Sequence, residues 1–163
     1  MNYYSRQPGF APDGSPIFAT KADKESEEIV RAALIEDWGW SDLVSFPKLF
    51  PIDFYGVKDD LLVGLVEVKT RYHERDHYPT VFLNIRKHAW LTNAAIGLAV
   101  PAFFVVRFTD WIGYTEVSEV PVGKVRLGGC SRIVKAYSDI EPVIEVPIES
   151  LSEVETTPIM NSW

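Results

Sequence analysis

The sequence predicts a small mixed α/β (α+β) domain, a central mixed β-sheet flanked by helices. Three observations carry this. A helix-period pattern occupies the first third of the chain, a series of short apolar or alternating strands follows it, and a second helical pattern interrupts those strands. The chain has 163 residues, of which 47% are apolar and 21 are aromatic. That is enough for one core and too little chain for two ordinary ones, so 1–163 reads as a single domain.

Residues 1–19 are rich in Gly, Pro and Ser and read as an irregular arm. Thr20, with Asp23 three residues on, resembles a helix N-cap, and Gly39 a stop. Between them Ile29, Val30, Ala33, Leu34 and Trp38 recur at helical spacing. Strands are expected at Leu43–Phe46, Pro51–Val57 and Leu61–Thr70, the last two forming a hairpin around Lys58, Asp59 and Asp60. Val81–Ile85 adds a strand, and 86–98 is helical. Ala102–Phe108 and Tyr114–Val117 follow, with short strands at Lys124–Leu127 and Ile133–Ala136 joined by Gly128 and Gly129. Residues 141–163 carry five glutamates and no base, and read as an acidic tail.

The net charge of −7 disfavours binding polyanions through bulk electrostatics. The charge is uneven, however. Lys69, Arg71, Arg75, Arg86 and Lys87 face only Glu74 and Asp76 within 69–88, and Lys124, Arg126, Arg132 and Lys135 have no acid among them. One cysteine, Cys130, excludes an internal disulfide or a cysteine-based metal site and suits a reducing cytoplasm. The longest apolar run, Ala94–Val106, has 13 residues against the roughly 20 that a membrane helix needs. Met1–Arg6 lacks the pattern of a secretion signal.

The chemistry is expected on Leu61–Thr70. Alternation places Val63, Leu65, Glu67 and Lys69 on one face of that strand. A carboxylate and an ammonium thus share one side of an otherwise apolar strand. The hairpin can bring Asp53 beside Glu67, and two converging carboxylates suit a hard divalent cation. Lys69 could then act on a phosphate or a water. A surface ion pair is the plainer use of such charges.

Asp53 preceded by Pro51 and Ile52, then 13 residues, then Glu67-Val68-Lys69, resembles the PD-(D/E)XK nuclease superfamily. The match runs over about 21–117 and is closest to compact members, Holliday-junction resolvases and small phage nucleases. It departs from the pattern where Ile52 separates proline from aspartate. The resemblance implies a restriction-endonuclease-like core and hydrolysis of DNA phosphodiesters with Mg²⁺ or Mn²⁺, as an endonuclease. It further implies Asp53, Glu67 and the Val68 carbonyl as metal ligands and Lys69 as the group acting on water or phosphate.

The resemblance also calls for an acid on the first helix. Glu27 is chosen over Glu28 because it shares the face of Val30 and Leu34. Arg71, Arg86, Lys87 and Arg132 are the expected phosphate contacts. A two-fold homodimer is expected to supply two sites, with the late apolar strands and Tyr3, Tyr4 and Phe10 as candidate interface, core packing being an equally good use of the strands. Asp53→Ala is expected to leave the fold intact. The competing readings are a noncatalytic binding domain of the same fold and a zinc hydrolase using His73 and His77. The loop around those histidines reads better as one that touches substrate.

Overall fold

The computed structural model describes residues 21–47, 50–128 and 141–156, with the backbone of 9–10 and 16–17. Its elements, in order, are β1 (Gly9–Phe10), β2 (Pro16–Ile17), α1 (Lys21–Trp38), β3 (Asp42–Ser45), β4 (Phe54–Lys58) and β5 (Leu61–Thr70). Then come β6 (Thr80–Asn84), α2 (Ile85–Leu98), β7 (Ala102–Arg107), β8 (Ile112–Glu116), β9 (Val125–Gly128), β10 (Glu141–Pro147) and β11 (Ser152–Glu153).

A six-stranded sheet runs β11-β8-β7-β5-β4-β3. Its β5–β7 pair is parallel and the others antiparallel. A parallel neighbour needs a long crossover, and here β6 and α2 supply it. A smaller sheet, β6-β10-β9, is antiparallel throughout. The large sheet is covered on both faces. On one, Val30, Ala33 and Leu34 of α1 meet Leu43, Phe54, Val66 and Val105. On the other, Leu91 of α2 and Leu83, Ile144 and Val146 of the small sheet meet Leu65, Phe104 and Val106. Leu65 and Val66 therefore enter opposite cores, as alternation along a strand requires.

Local chemistry explains the punctuation. Gly39 takes φ 61° just past α1, the left-handed stop that glycine supplies without strain. Asp59 and Asp60 take φ 50° and 63°, the conformation of a two-residue hairpin turn, and aspartate tolerates it better than most residues. Asn84 caps α2 by accepting the Arg86 N–H at 2.7 Å. A Cβ at Gly56 would lie 2.3 Å from the Trp40 ring, and one at Gly64 3.0 Å from it. Two adjacent glycines on paired strands thus make the bed in which Trp40 lies.

Several expectations change. Residues 141–163 do not form a tail from their start: β10 is a central strand with Val143, Ile144 and Val146 buried. Its glutamates find partners, Glu145 at 3.0 Å from Arg126 and Glu141 with Asn84. Net charge hid an alternating strand. The arm expected to be irregular holds an antiparallel pair, β1 with β2. The β9 strand pairs with β10, whereas the partner expected at 133–136 lies outside the described residues, as do Thr20, Tyr3, Tyr4 and Cys130. The apolar strand β7 is interior, with Val105 and Val106 fully buried, so it is core and not an interface. Among the described residues no helix is long and apolar enough to cross a membrane.

Candidate active site

The site forms where β4 stops accompanying β5. The β4–β5 pairing ends at Phe54 opposite Val66, while β7 follows β5 on to Thr70 opposite Arg107. From Glu67 onward one edge of β5 has lost its neighbouring strand. Asp53, the residue before β4, fills the gap with its side chain, and its Oδ2 accepts the Val68 N–H at 2.9 Å. An extended residue sends its N–H and C=O to the same edge. The Val68 carbonyl therefore also points toward the side where Asp53 stands.

Glu67 emerges beside this edge, on the face covered by α2. Its side chain is 12% exposed, and the Lys87 Nζ stands 2.9 Å from Oε1 and 3.0 Å from Oε2. The same ammonium is 3.9 Å from Asp53 Oδ1. One cation thus sits between two carboxylates. Lys87 reaches them because the Asn84 cap fixes where α2 begins, three residues earlier.

The electrostatics follow from this crowding. Burial pushes the Glu67 carboxyl up to about 8, Asp53 adds repulsion, and the Lys87 ammonium pulls the other way without winning. Glu27, half-buried on α1, is also raised, first by burial and then by Asp53. Its neighbour Glu28 is exposed and stands 3.4 Å from Arg31. The helix thus turns Glu27 toward Asp53 and Glu28 away from it. Ser26 Oγ, 2.6 Å from Thr70 Oγ1, ties that turn of α1 to the end of β5. Lys69 lies two residues past Glu67, reachable from solvent yet with its pKa lowered, by burial of the ammonium first and by Arg71 second. Burial also lowers the pKa of Arg71.

These groups fit a divalent cation. The donors are hard oxygens, two carboxylates and a backbone carbonyl. Burial first, with Asp53's repulsion second, disfavours the Glu67 charge in the metal-free site, a cost that a bound cation would offset. Among the described residues no three His, Cys, Asp or Glu side chains converge, so a cation here would draw on the backbone and on water. The same observation leaves His73 and His77 without a third ligand. They occupy the loop between β5 and β6, around a short 3₁₀ turn at Arg75–His77.

The structure thus gathers Asp53, Glu67, Val68, Lys69 and Arg71, with Glu27 at the border. Lys87, expected among the outer phosphate contacts, stands between the carboxylates instead. The helix was expected from Arg86 and starts one residue earlier, at Ile85, but no periodicity could have shown which way Lys87 reaches. Arg86 is exposed at the same helix start; Arg132 lies outside the described residues. Asp53→Ala would strip the Val68 N–H of its acceptor, a loss of stability that the sequence does not show.

Comparison with known proteins bears on the fold and the family. The holliday-junction resolvase Hjc of Archaeoglobus fulgidus superposes with a TM-score of 0.53 at 13% identity, over 83% of this chain and 93% of that one, a likeness of fold. No curated protein matches the chain. A family model described as "Phage putative PDDEXK endonuclease" matches residues 14–154, most of the length. The chain belongs to this phage PDDEXK endonuclease family.

Proposed function

We propose that the protein is a Mg²⁺- or Mn²⁺-dependent endonuclease that hydrolyses DNA phosphodiester bonds at the open end of β5. The observation that carries the reading is the convergence of Asp53 and Glu67 beside the Val68 carbonyl, where β4 leaves the strand. Asp53, Glu67 and Val68 would hold the ion. When bound, it would supply Lewis acidity at the phosphate and a more acidic water.

The chain's own residues do the rest. The Lys69 ammonium orients the attacking water and stabilises the charge that develops on the phosphate, an interaction worth most in the transition state. Glu27 orders water beside Asp53. Arg71, Arg86 and Arg132 neutralise flanking phosphates. Lys87 holds the carboxylate pair together in the metal-free protein.

A second copy of the chain would place a second site on a symmetric substrate. Trp90 and Ile96, exposed apolar residues on the outward side of α2, offer it a surface. With a single cysteine, the protein suits the reducing cytoplasm.

The test is cleavage of closed circular, linear, single-stranded and four-way-junction DNA with Mg²⁺, Mn²⁺ or excess EDTA. The reading expects nicking or linearisation of the closed circle with either ion and none in EDTA. Full cleavage in EDTA contradicts it.

A further inference from the structure

We propose that the loop between β5 and β6 is a stacking platform for an unpaired base, so that the preferred DNA carries an unpaired nucleotide near the scissile phosphate. This rests on the nuclease reading and names the substrate class of the same site.

The loop leaves β5 directly beyond the catalytic lysine. His73 is four residues past Lys69, within about 14 Å even in a fully extended chain. Three rings meet there: His73 lies 5.1 Å from both His77 and Tyr78, and His77 4.4 Å from Tyr78. Underneath, His73 packs on Phe108 of the core at 5.8 Å. His77 is exposed above it, and Tyr78 is 55% exposed.

Exposed rings cost solvation and contribute little to the core, yet this loop is firmly held. The Arg71 N–H donates to Arg107 O at 2.7 Å, and the Thr109 N–H to His73 O at 3.2 Å. The Arg75 N–H donates to Asp110 Oδ1 at 3.0 Å, while its guanidinium lies 5.1 Å over Trp111. At the far end the Ile148 N–H donates to Pro79 O at 3.0 Å. Rings that are ordered before a ligand arrives spare the entropy of ordering them on binding.

The charges say which ligand fits. Past Arg71, the flanking-phosphate contact proposed above, Arg75 is outnumbered by Glu74 and Asp76, and Asp76 stands 3.4 Å from Arg75. The loop therefore offers little net grip on a phosphate chain. It offers π faces, which suit any base that is free of its helical stack. A metal suits it less, since no third ligand joins the histidines among the described residues.

The experiment compares binding by fluorescence anisotropy, with Ca²⁺ in place of Mg²⁺, to a single strand, a duplex with an unpaired bulge and the fully paired duplex. Tyr78→Ala and His77→Ala should each weaken binding to the two unpaired DNAs, by about 5- to 150-fold for one lost stacking contact. Binding to the paired duplex should stay within about two-fold and the salt dependence should not change, because no phosphate contact is lost. Tyr78→Phe should bind like wild type. Equal loss on paired and unpaired DNA, no loss, or a flattened salt slope would each overturn the platform. Cleavage by the wild-type protein in Mn²⁺ is scored separately. Cleavage without selective loss in the variants defeats the platform and leaves the nuclease reading standing, and selective loss without any cleavage does the reverse.

Discussion

The two halves of β5 are one strand with a different neighbour on each, β4 up to Val66 and β7 from Leu65, and they behave as different materials. Over Leu61–Val66 the strand is paired with β4, and at Leu65 and Val66 with β7 as well, where its side chains sink into cores on opposite faces. Over Glu67–Thr70 only the β7 edge remains paired, and the side chains are a carboxylate, a valine, an ammonium and a hydroxyl. Composition alone does not create the difference. A charge at Leu65 or Val66 would be trapped in an apolar core, whereas from Glu67 onward the departed β4 leaves an edge for Asp53 and water. Chemistry becomes affordable where a sheet loses one neighbour and keeps the other, because the strand stays rigid while its polar groups become available.

The comparison breaks most visibly at Lys69. Lys69→Ala should lower single-turnover cleavage by about 10²- to 10³-fold, the usual cost of removing one group that stabilises transition-state charge. Its DNA affinity in Ca²⁺ and its melting temperature should barely move. Wild-type cleavage by this variant would mean that the lysine is a surface charge.

The next effect is on stability and its pH dependence. Glu67 has a pKa near 4.5 when unfolded and about 8 when folded, so between these values the folded protein holds more proton than the unfolded chain. The corresponding stability is fully present below about pH 4.5 and is lost as pH rises through about 8. Metal-free protein should therefore melt higher at pH 5 than at pH 8.5, by an amount worth on the order of a few kcal/mol. Glu67→Gln should remove most of that slope. Melting curves without metal, at a series of pH values, check both; a wild-type protein that gains stability over this range contradicts the assignment.

The smallest effect belongs to the core half. Gly56→Ala puts a methyl group 2.3 Å from the Trp40 ring. Overpacking of this kind costs about 1–3 kcal/mol. The melting temperature should fall while cleavage per folded molecule stays at the wild-type level, the reverse of Lys69→Ala.

Much of this arrangement was legible in the sequence, for reasons that differ from element to element. The span of β5 follows from its apolar run and the turn-forming aspartates before it. The α1 register follows from Val30, Ala33 and Leu34. The same register turns Glu27 toward the sheet, and alternation puts Glu67 and Lys69 on one face. What stayed hidden depended on partners distant along the chain. Glutamates masked β10, which pairs with β6 across 59 to 67 residues of chain. The place where β4 ends is set by pairing register, so the bond from Val68 to Asp53 could not be read from either segment alone. Lys87 likewise acquires its position between the carboxylates only when α2 docks on β5.

The central claim is that the carboxylates at the open end of β5 serve a divalent cation that cleaves DNA. It is tested most directly by the cleavage rate of closed circular DNA in Mn²⁺, for the wild-type protein and Asp53→Asn side by side. Asparagine keeps an oxygen to accept the Val68 N–H and removes only the charge, so the fold should survive, with a melting temperature close to wild type. The account predicts nicking or linearisation by the wild-type protein and a loss of at least about 10²-fold in the variant. Equal rates from the two proteins would contradict it.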